Sequence, residues 1–295
     1  MDCPRCGNDE TWKHGKRNDL QRYRCKACRQ TFTDNGALPG RRIPPQAVGV
    51  ALSTFFEGMS YRDIERHLET LYGLSVSPST IYRWVVDYTQ RGDTETEGYK
   101  ANTGGTWVAD ETSLKIDGKN IWVWNLMDAK TRFLLSTHIS ETRTEADAIK
   151  LLREGRDRSA NLPSKIVTDK LAAYVPAIKR VFWRGTTEHQ QSEGIKAKLN
   201  NNMSERLQGT VKERTKVMRG LEREGTAEQF LDGFRLYYNY LKPHQTTKRT
   251  PAAKAGISAP FSSWIELAYM KKPQPRRKRD QWKDEEPLFR TRREF

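Results

Sequence analysis

The sequence predicts an α/β protein in which a mixed five-stranded sheet with flanking helices is preceded by a small β unit and an all-α unit. Three observations predict it. Four cysteines fall in two Cys-x-x-Cys pairs within the first 28 residues. Residues 45–90 carry apolar positions at helical spacing between helix caps. From residue 106 the pattern changes to strand-like runs separated by turn residues, which then alternate with helical segments.

The first unit spans residues 1–34. Cys3-Pro-Arg-Cys6 and Cys25-Lys-Ala-Cys28 are separated by eighteen residues, a spacing that places four thiolates around one Zn²⁺. Thr11–Lys13 and Gln21–Arg24 alternate as short strands do, and Phe32 anchors a third. So small a segment buries little apolar surface, so the metal must supply much of its folding free energy. Residues 35–44, with Gly36, Pro39, Gly40 and Pro44, read as a linker.

The second unit spans residues 45–90. Pro45–Phe56 is apolar at 47, 48, 51, 52, 55 and 56, and Gly58 ends it. Ser60 and Asp63 form a capping box before a helix carrying Ile64, Leu68 and Leu71. Ser77 as N-cap and Pro78 at the first helical position start the next helix, Ser79–Tyr88, which buries Ile81, Trp84 and Val85. This is a helix-turn-helix pattern, which nominates Ser79, Thr80, Tyr82 and Arg83 at the start of its second helix for DNA contact. Residues 91–105, polar and glycine-rich, read as a second linker.

The third unit starts at residue 106. Thr106–Asp110 is a strand ending in a carboxylate, Ile121–Asp128 a second strand and Phe133–Ile139 a third, joined by turns. A helix over Thr144–Glu154, a strand over Lys165–Asp169, a helix over Leu171–Arg180 and a short strand at Thr186–His189 follow. The stretch Asn200–Gly220 reads as a polar helix with Glu205 near its start and Lys212 two turns on, on the same face. Arg206, Arg214, Lys216 and Arg219 surround it with positive charge suited to DNA. An amphipathic helix over 226–241 carries an aromatic stripe, and residues 271–295 form a basic tail.

Net charge is +15, from 52 Lys and Arg against 37 Asp and Glu, which favours a polyanionic partner and nucleic acid first. No apolar run approaches the ~20 residues of a membrane-spanning helix. The start, MDCPRC, shows no signal region, so the expected location is the cytoplasm, in association with the nucleoid. Asp110 and Asp169 close strands, and they sit side by side if those strands are neighbours. With Glu205 they make an oxygen-only set that suits Mg²⁺ or Mn²⁺ and phosphodiester displacement, with Lys212 as a phosphate contact. Glu111, next to Asp110 on a strand, is expected to point to the opposite face.

These residues resemble the catalytic blocks of DDE transposases of the insertion-sequence-six family. Val108-Ala-Asp110-Glu111-Thr with Lys115–Lys119 and Trp122 resembles the first block, and Val167-Thr-Asp169 with Ala173-Tyr174 the second. Asn201–Arg206, Lys212 and Met218-Arg219-Gly220 resemble the third. Thirty-five residues separate Asp169 from Glu205, the interval of this class. Leu221 departs from the pattern, where an aromatic is common. The resemblance covers roughly residues 45–257 and implies an RNase H-like core over 106–257 that binds Mg²⁺ through Asp110, Asp169 and Glu205. It implies nicking at terminal inverted repeats and joining of the exposed 3′-OH ends to target DNA, by a dimer or larger assembly. The rival readings are a non-catalytic DNA-binding regulator and a metal-dependent nuclease that cuts without joining.

Overall fold

The computed structural model describes residues 1–17, 20–34, 37, 42–116, 118–183, 187–192, 207–212, 224–244 and 248–270. Glu205, Arg206, Arg214, Lys216, Arg219, Leu221 and the basic tail at 271–295 lie outside the described residues.

The N-terminal unit is a three-stranded antiparallel sheet of β1 (Thr11–Arg17), β2 (Leu20–Cys25) and β3 (Thr31–Thr33), in the order β1-β2-β3. Among the described residues its apolar core is Cys3, Cys25 and Phe32, with Tyr23 and Cys28 packed beside them. That is too little burial to hold a fold by itself.

Helices α1 (Pro45–Glu57), α2 (Tyr61–Tyr72) and α3 (Pro78–Thr96) follow. Ser60 and Asp63 form the expected capping box, and Gly73 closes α2 in the left-handed conformation at φ 62°. Trp84, expected in the core, is only half-buried. The stretch read as a linker from residue 91 is helical to Thr96, with Arg91, Gly92 and Thr96 buried. Its polar residues are held by partners: Arg91 by Asp87 at 2.6 Å and Asp93 by Arg235 at 2.8 Å. Gly92, which suggested a linker, instead lets a second helix approach, since a Cβ there would stand 2.2 Å from Leu236 Cδ2.

The central sheet comprises β4 (Thr106–Ile116), β5 (Lys119–Asp128), β6 (Leu134–Ser140), β7 (Lys165–Thr168) and β8 (Glu188–Gln191). Its order is β6-β5-β4-β7-β8, with β4, β5 and β6 antiparallel and β7 and β8 added parallel to β4. With α4 (Glu145–Asp157) and α5 (Tyr174–Val181) on one face, this is the RNase H-like mixed sheet. Trp107 and Trp124 of that face meet Phe182 and Tyr174 edge-on. Asp110 does not close its strand as expected: β4 continues six residues further, to Ile116, paired throughout with β5.

A helical turn at 207–212 (α6) follows β8, then α7 (Glu224–Leu236), which runs into a π-helical turn at Tyr237–Leu241. That turn places Asn239 against the edge strand β6, where its amide accepts from Leu134 N–H at 2.8 Å and donates to Leu134 C=O at 2.9 Å. Short helices α8 (Pro251–Lys254) and α9 (Trp264–Tyr269) complete the described fold. Helices α7 and α9 pack on α3 and α1, and one continuous hydrophobic cluster runs from Ala47 and Phe55 through the sheet to Trp264. The three helices expected to form a separate unit therefore share their core with the sheet.

Candidate active site

Two side-chain clusters can hold a metal ion among the described residues, and they differ in chemistry. The first is Cys3, Cys6, Cys25 and Cys28. Cys3 Sγ lies 3.6 Å from Cys28 Sγ, and Cys6 Sγ 3.6 Å from Cys25 Sγ. Tetrahedral Zn–S bonds of ~2.3 Å put sulfurs ~3.8 Å apart, so the spacing fits the metal. Backbone N–H groups at the second knuckle, Cys28 first, pull the Cys25 thiol down to about 7, while burial pushes Cys3 up to about 11. The four thiols and three strands make this unit a zinc ribbon.

The second cluster is acidic, and the sheet builds it. Parallel pairing of β4 with β7 runs from Thr106↔Lys165 to Val108↔Val167. Two residues further along each strand stand Asp110 and Asp169, the latter just past the end of β7. Carboxyl oxygens of Asp110, Glu111 and Asp169 all lie within 4.8 Å of one another. Each outer carboxylate is oriented by donors. Asp110 Oδ2 accepts from Gln208 Nε2 of α6 at 2.8 Å, and its Oδ1 from Glu111 N–H at 3.1 Å. Asp169 Oδ1 accepts from Leu171 N–H at 3.0 Å.

Glu111 was expected on the opposite face, and it does start there. The β7 pairing ends before this point, which leaves a bare strand edge around which side chains from both faces converge. Its carboxylate is held by the Arg143 guanidinium and by Tyr174 Oη, which donates at 3.0 Å. Burial, and then the neighbouring Asp169 charge, raise the Glu111 pKa; Arg143 and Tyr174 pull it back. Arg143 Nη2 also stands 3.8 Å from Asp169 Oδ2.

Asn125, directly across from Asp110 on β5, is 2% exposed. Neither its amide nitrogen nor its amide oxygen has a hydrogen-bond partner among the described residues. An unmet buried donor and acceptor beside a carboxylate cluster suit a site completed by something further. The donor set is all oxygen, with one arginine against three acids, which fits a hard divalent cation.

Other sequence candidates fall elsewhere. Lys212 lies exposed at the end of α6. Glu188 pairs with Lys165 at 3.5 Å, and Asp128 is consumed by a turn, accepting from Thr131 N–H at 2.8 Å and Gly104 N–H at 3.0 Å. Ser79, Tyr82 and Arg83 are exposed on α3, and Thr80 is half-buried. Arg83 folds back on its own helix, donating to Ser79 C=O and Thr80 Oγ1 at 3.2 Å each. Sequence reasoning missed Gln208 and Arg143, and it placed Tyr174 in the second block without giving it a role. Gln208 was legible in principle, because it stands three residues after Glu205, one helical turn on. Arg143 sits in the loop before α4, where no local pattern marks it.

Paired acids at the edge of this mixed sheet make it the candidate active centre of the chain. Residues 104–244 match a family model described as a DDE domain. The match takes in β4 to β8 and the acidic cluster, and it lies behind the N-terminal four-cysteine ribbon. Among solved structures it is similar to the HTLV-2 integrase catalytic core domain in complex with magnesium, in its trimeric form. That match has 15% identity and a TM-score of 0.41, covering 54% of this chain and 99% of that one. It is also similar to the simian T-cell lymphotropic virus intasome in complex with a PP2A regulatory subunit. There the identity is 15% and the TM-score 0.41, with 77% of this chain and 74% of that one covered. No curated protein matches the chain. No helix among the described residues is long and apolar enough to cross a membrane.

Proposed function

We propose that the protein is a DNA transposase that nicks DNA at terminal inverted repeats and joins the exposed 3′-OH ends to target DNA. One observation carries the reading: carboxyl oxygens of Asp110 and Asp169 lie within 4.8 Å of each other inside the DDE domain. Asp110, Asp169 and Glu205 would hold Mg²⁺ or Mn²⁺, and Cys3, Cys6, Cys25 and Cys28 would hold Zn²⁺. When bound, divalent cations at such a site supply activation of the attacking oxygen and stabilisation of the leaving one.

The chain's own groups set the geometry. Gln208 and the Glu111 N–H orient the two Asp110 oxygens, and the Leu171 N–H orients one Asp169 oxygen. Glu205 joins them from the α6 side in this reading, since it precedes Gln208 by three residues. Lys212 contacts a phosphate. Ser79, Thr80, Tyr82 and Arg83, with Arg206, Arg214, Lys216 and Arg219, contact DNA, and the tail at 271–295 adds non-specific phosphate attraction. Functionally the chain divides into a ribbon at 1–34, a helix-turn-helix at 45–90 and a catalytic unit at 106–257. It works on DNA at the nucleoid as a dimer or larger assembly, because two element ends must be brought together.

The test is an assay of purified protein, Mg²⁺ and labelled DNA carrying the element's flanking repeats. Nicked ends joined to a target plasmid, absent with Glu205→Gln, support the transposase. Cutting without joining favours a nuclease, and binding without cutting in Mg²⁺ or Mn²⁺ favours a DNA-binding regulator.

A further inference from the structure

Arg143 is placed as a surface ion-pair residue would not be. One guanidinium nitrogen, Nη2, faces the Glu111 carboxylate and stands 3.8 Å from Asp169 Oδ2. The guanidinium carbon lies 4.3 Å from the centre of the Trp122 ring, so the plane of the group is held as well as its charge. Glu111 is itself fixed: its side chain is 1% exposed, and its other oxygen is occupied by Tyr174 Oη. Arg143 is one-third exposed, and its Nε and Nη1 donors meet no acceptor among the described residues. A guanidinium carries five donors in a rigid fork that matches phosphate oxygens. Here one edge is anchored to protein and the other is open, beside two carboxylates able to hold a cation.

We propose that Arg143 binds a phosphate of the DNA strand at the catalytic centre, with Glu111 and Trp122 as its positioning residues. The proposal rests on the transposase reading above and adds a substrate contact to that site. Glu111 is not a third cation ligand in this arrangement. It is already neutralised by Arg143 and serves to point the guanidinium past Asp169 toward the reacting strand. Asp110 and Asp169 hold the cation side, and Arg143 holds the phosphate from the side of the α4 loop. The DNA then meets positive charge where three clustered acids alone would repel it.

The experiment uses the full chain and a labelled duplex ending in the element's terminal repeat, with Ca²⁺ to read binding and Mg²⁺ to read cutting. Arg143→Ala should reduce the slope of log affinity against log salt concentration by about one contact. It should lower single-turnover cutting at saturating DNA by ~10²–10³-fold, the cost of removing one charge-stabilising donor. Mn²⁺ binding to the DNA-free protein, read by electron paramagnetic resonance, should stay at the wild-type level, whereas Asp110→Asn loses it. Arg143→Lys should restore the salt slope but only part of the rate, because an ammonium lacks the fork. Glu111→Gln combined with Arg143→Ala should be no slower than Arg143→Ala alone, since one acts through the other.

A wild-type salt slope in Arg143→Ala overturns the proposal, as does loss of Mn²⁺ binding equal to that of Asp110→Asn. If the wild type binds the repeat and cuts nothing, the transposase reading fails, yet the slope still decides the phosphate contact. A wild type that binds no DNA overturns both.

Discussion

Substituting Gly233 by alanine tests whether the helices ahead of the sheet are fused to the catalytic unit. Gly233 lies on α7 where that helix crosses α1 and α3. A Cβ built there would stand 2.7 Å from Phe56 Cζ and 2.7 Å from Thr89 Oγ1. Carbon contacts are comfortable at ~3.5–4.0 Å, so the methyl group intrudes by about 1 Å. Phe56 cannot swing aside, because it is stacked between Tyr237 at 5.4 Å and Trp264 at 5.3 Å. The intrusion therefore pushes α7 away from α1 and α3, at the ~1–3 kcal/mol typical of overpacking. Alanine's better helix propensity returns up to ~1 kcal/mol. The net expectation is a loss of about 1 kcal/mol for Gly233→Ala. Gly225→Ala is the matched control: it lies on the same helix, and its added Cβ meets nothing within 4 Å. That variant should be neutral or stabilised by up to ~1 kcal/mol. Urea unfolding of both variants beside the wild type measures the difference. Equal stability of the two would refute the close crossing and the shared core argued from it.

Asp110→Asn should reduce cutting by at least ~10²-fold while repeat binding is retained; parallel loss of binding would remove Asp110 from the catalytic role. Cys25→Ser should release zinc and weaken DNA binding, and an unchanged zinc content by elemental analysis would refute the ribbon's metal. Asp93 is pushed up from 3.8 to about 6 by burial, which outweighs its ion pair with Arg235. A raised carboxylate pKa means that the folded chain holds this proton more tightly than the unfolded one. Its contribution to stability is therefore greatest below pH ~4 and declines as pH rises to about 6. The stability gap between wild type and Asp93→Asn should accordingly shift toward the variant by about 3 kcal/mol across that range, as measured by denaturant unfolding at several pH values.

Local chemistry determined much of this protein from sequence alone. The cysteine pairs fix their ribbon because four thiolates have few ways to surround one ion. The capping box at Ser60 and Asp63, the strands from residue 106 and the place of Asp169 after its strand all follow from neighbours in the chain. Alternation along a strand was a sound rule that gave the wrong surroundings for Glu111. It describes a residue within a paired sheet, whereas β4 at residue 111 has lost its β7 neighbour. The stretch from residue 91 read as a linker partly for its glycines, yet the neighbour that needs Gly92 to lack a side chain, Leu236, lies 144 positions away. Tertiary structure alone decided that β4 and β7 are adjacent, that Gln208 reaches Asp110, and that Arg143 turns from its loop onto Glu111. Such contacts join segments 32 to 98 residues apart. Pairings at that distance are chosen by packing of the whole core, which no local window of sequence contains.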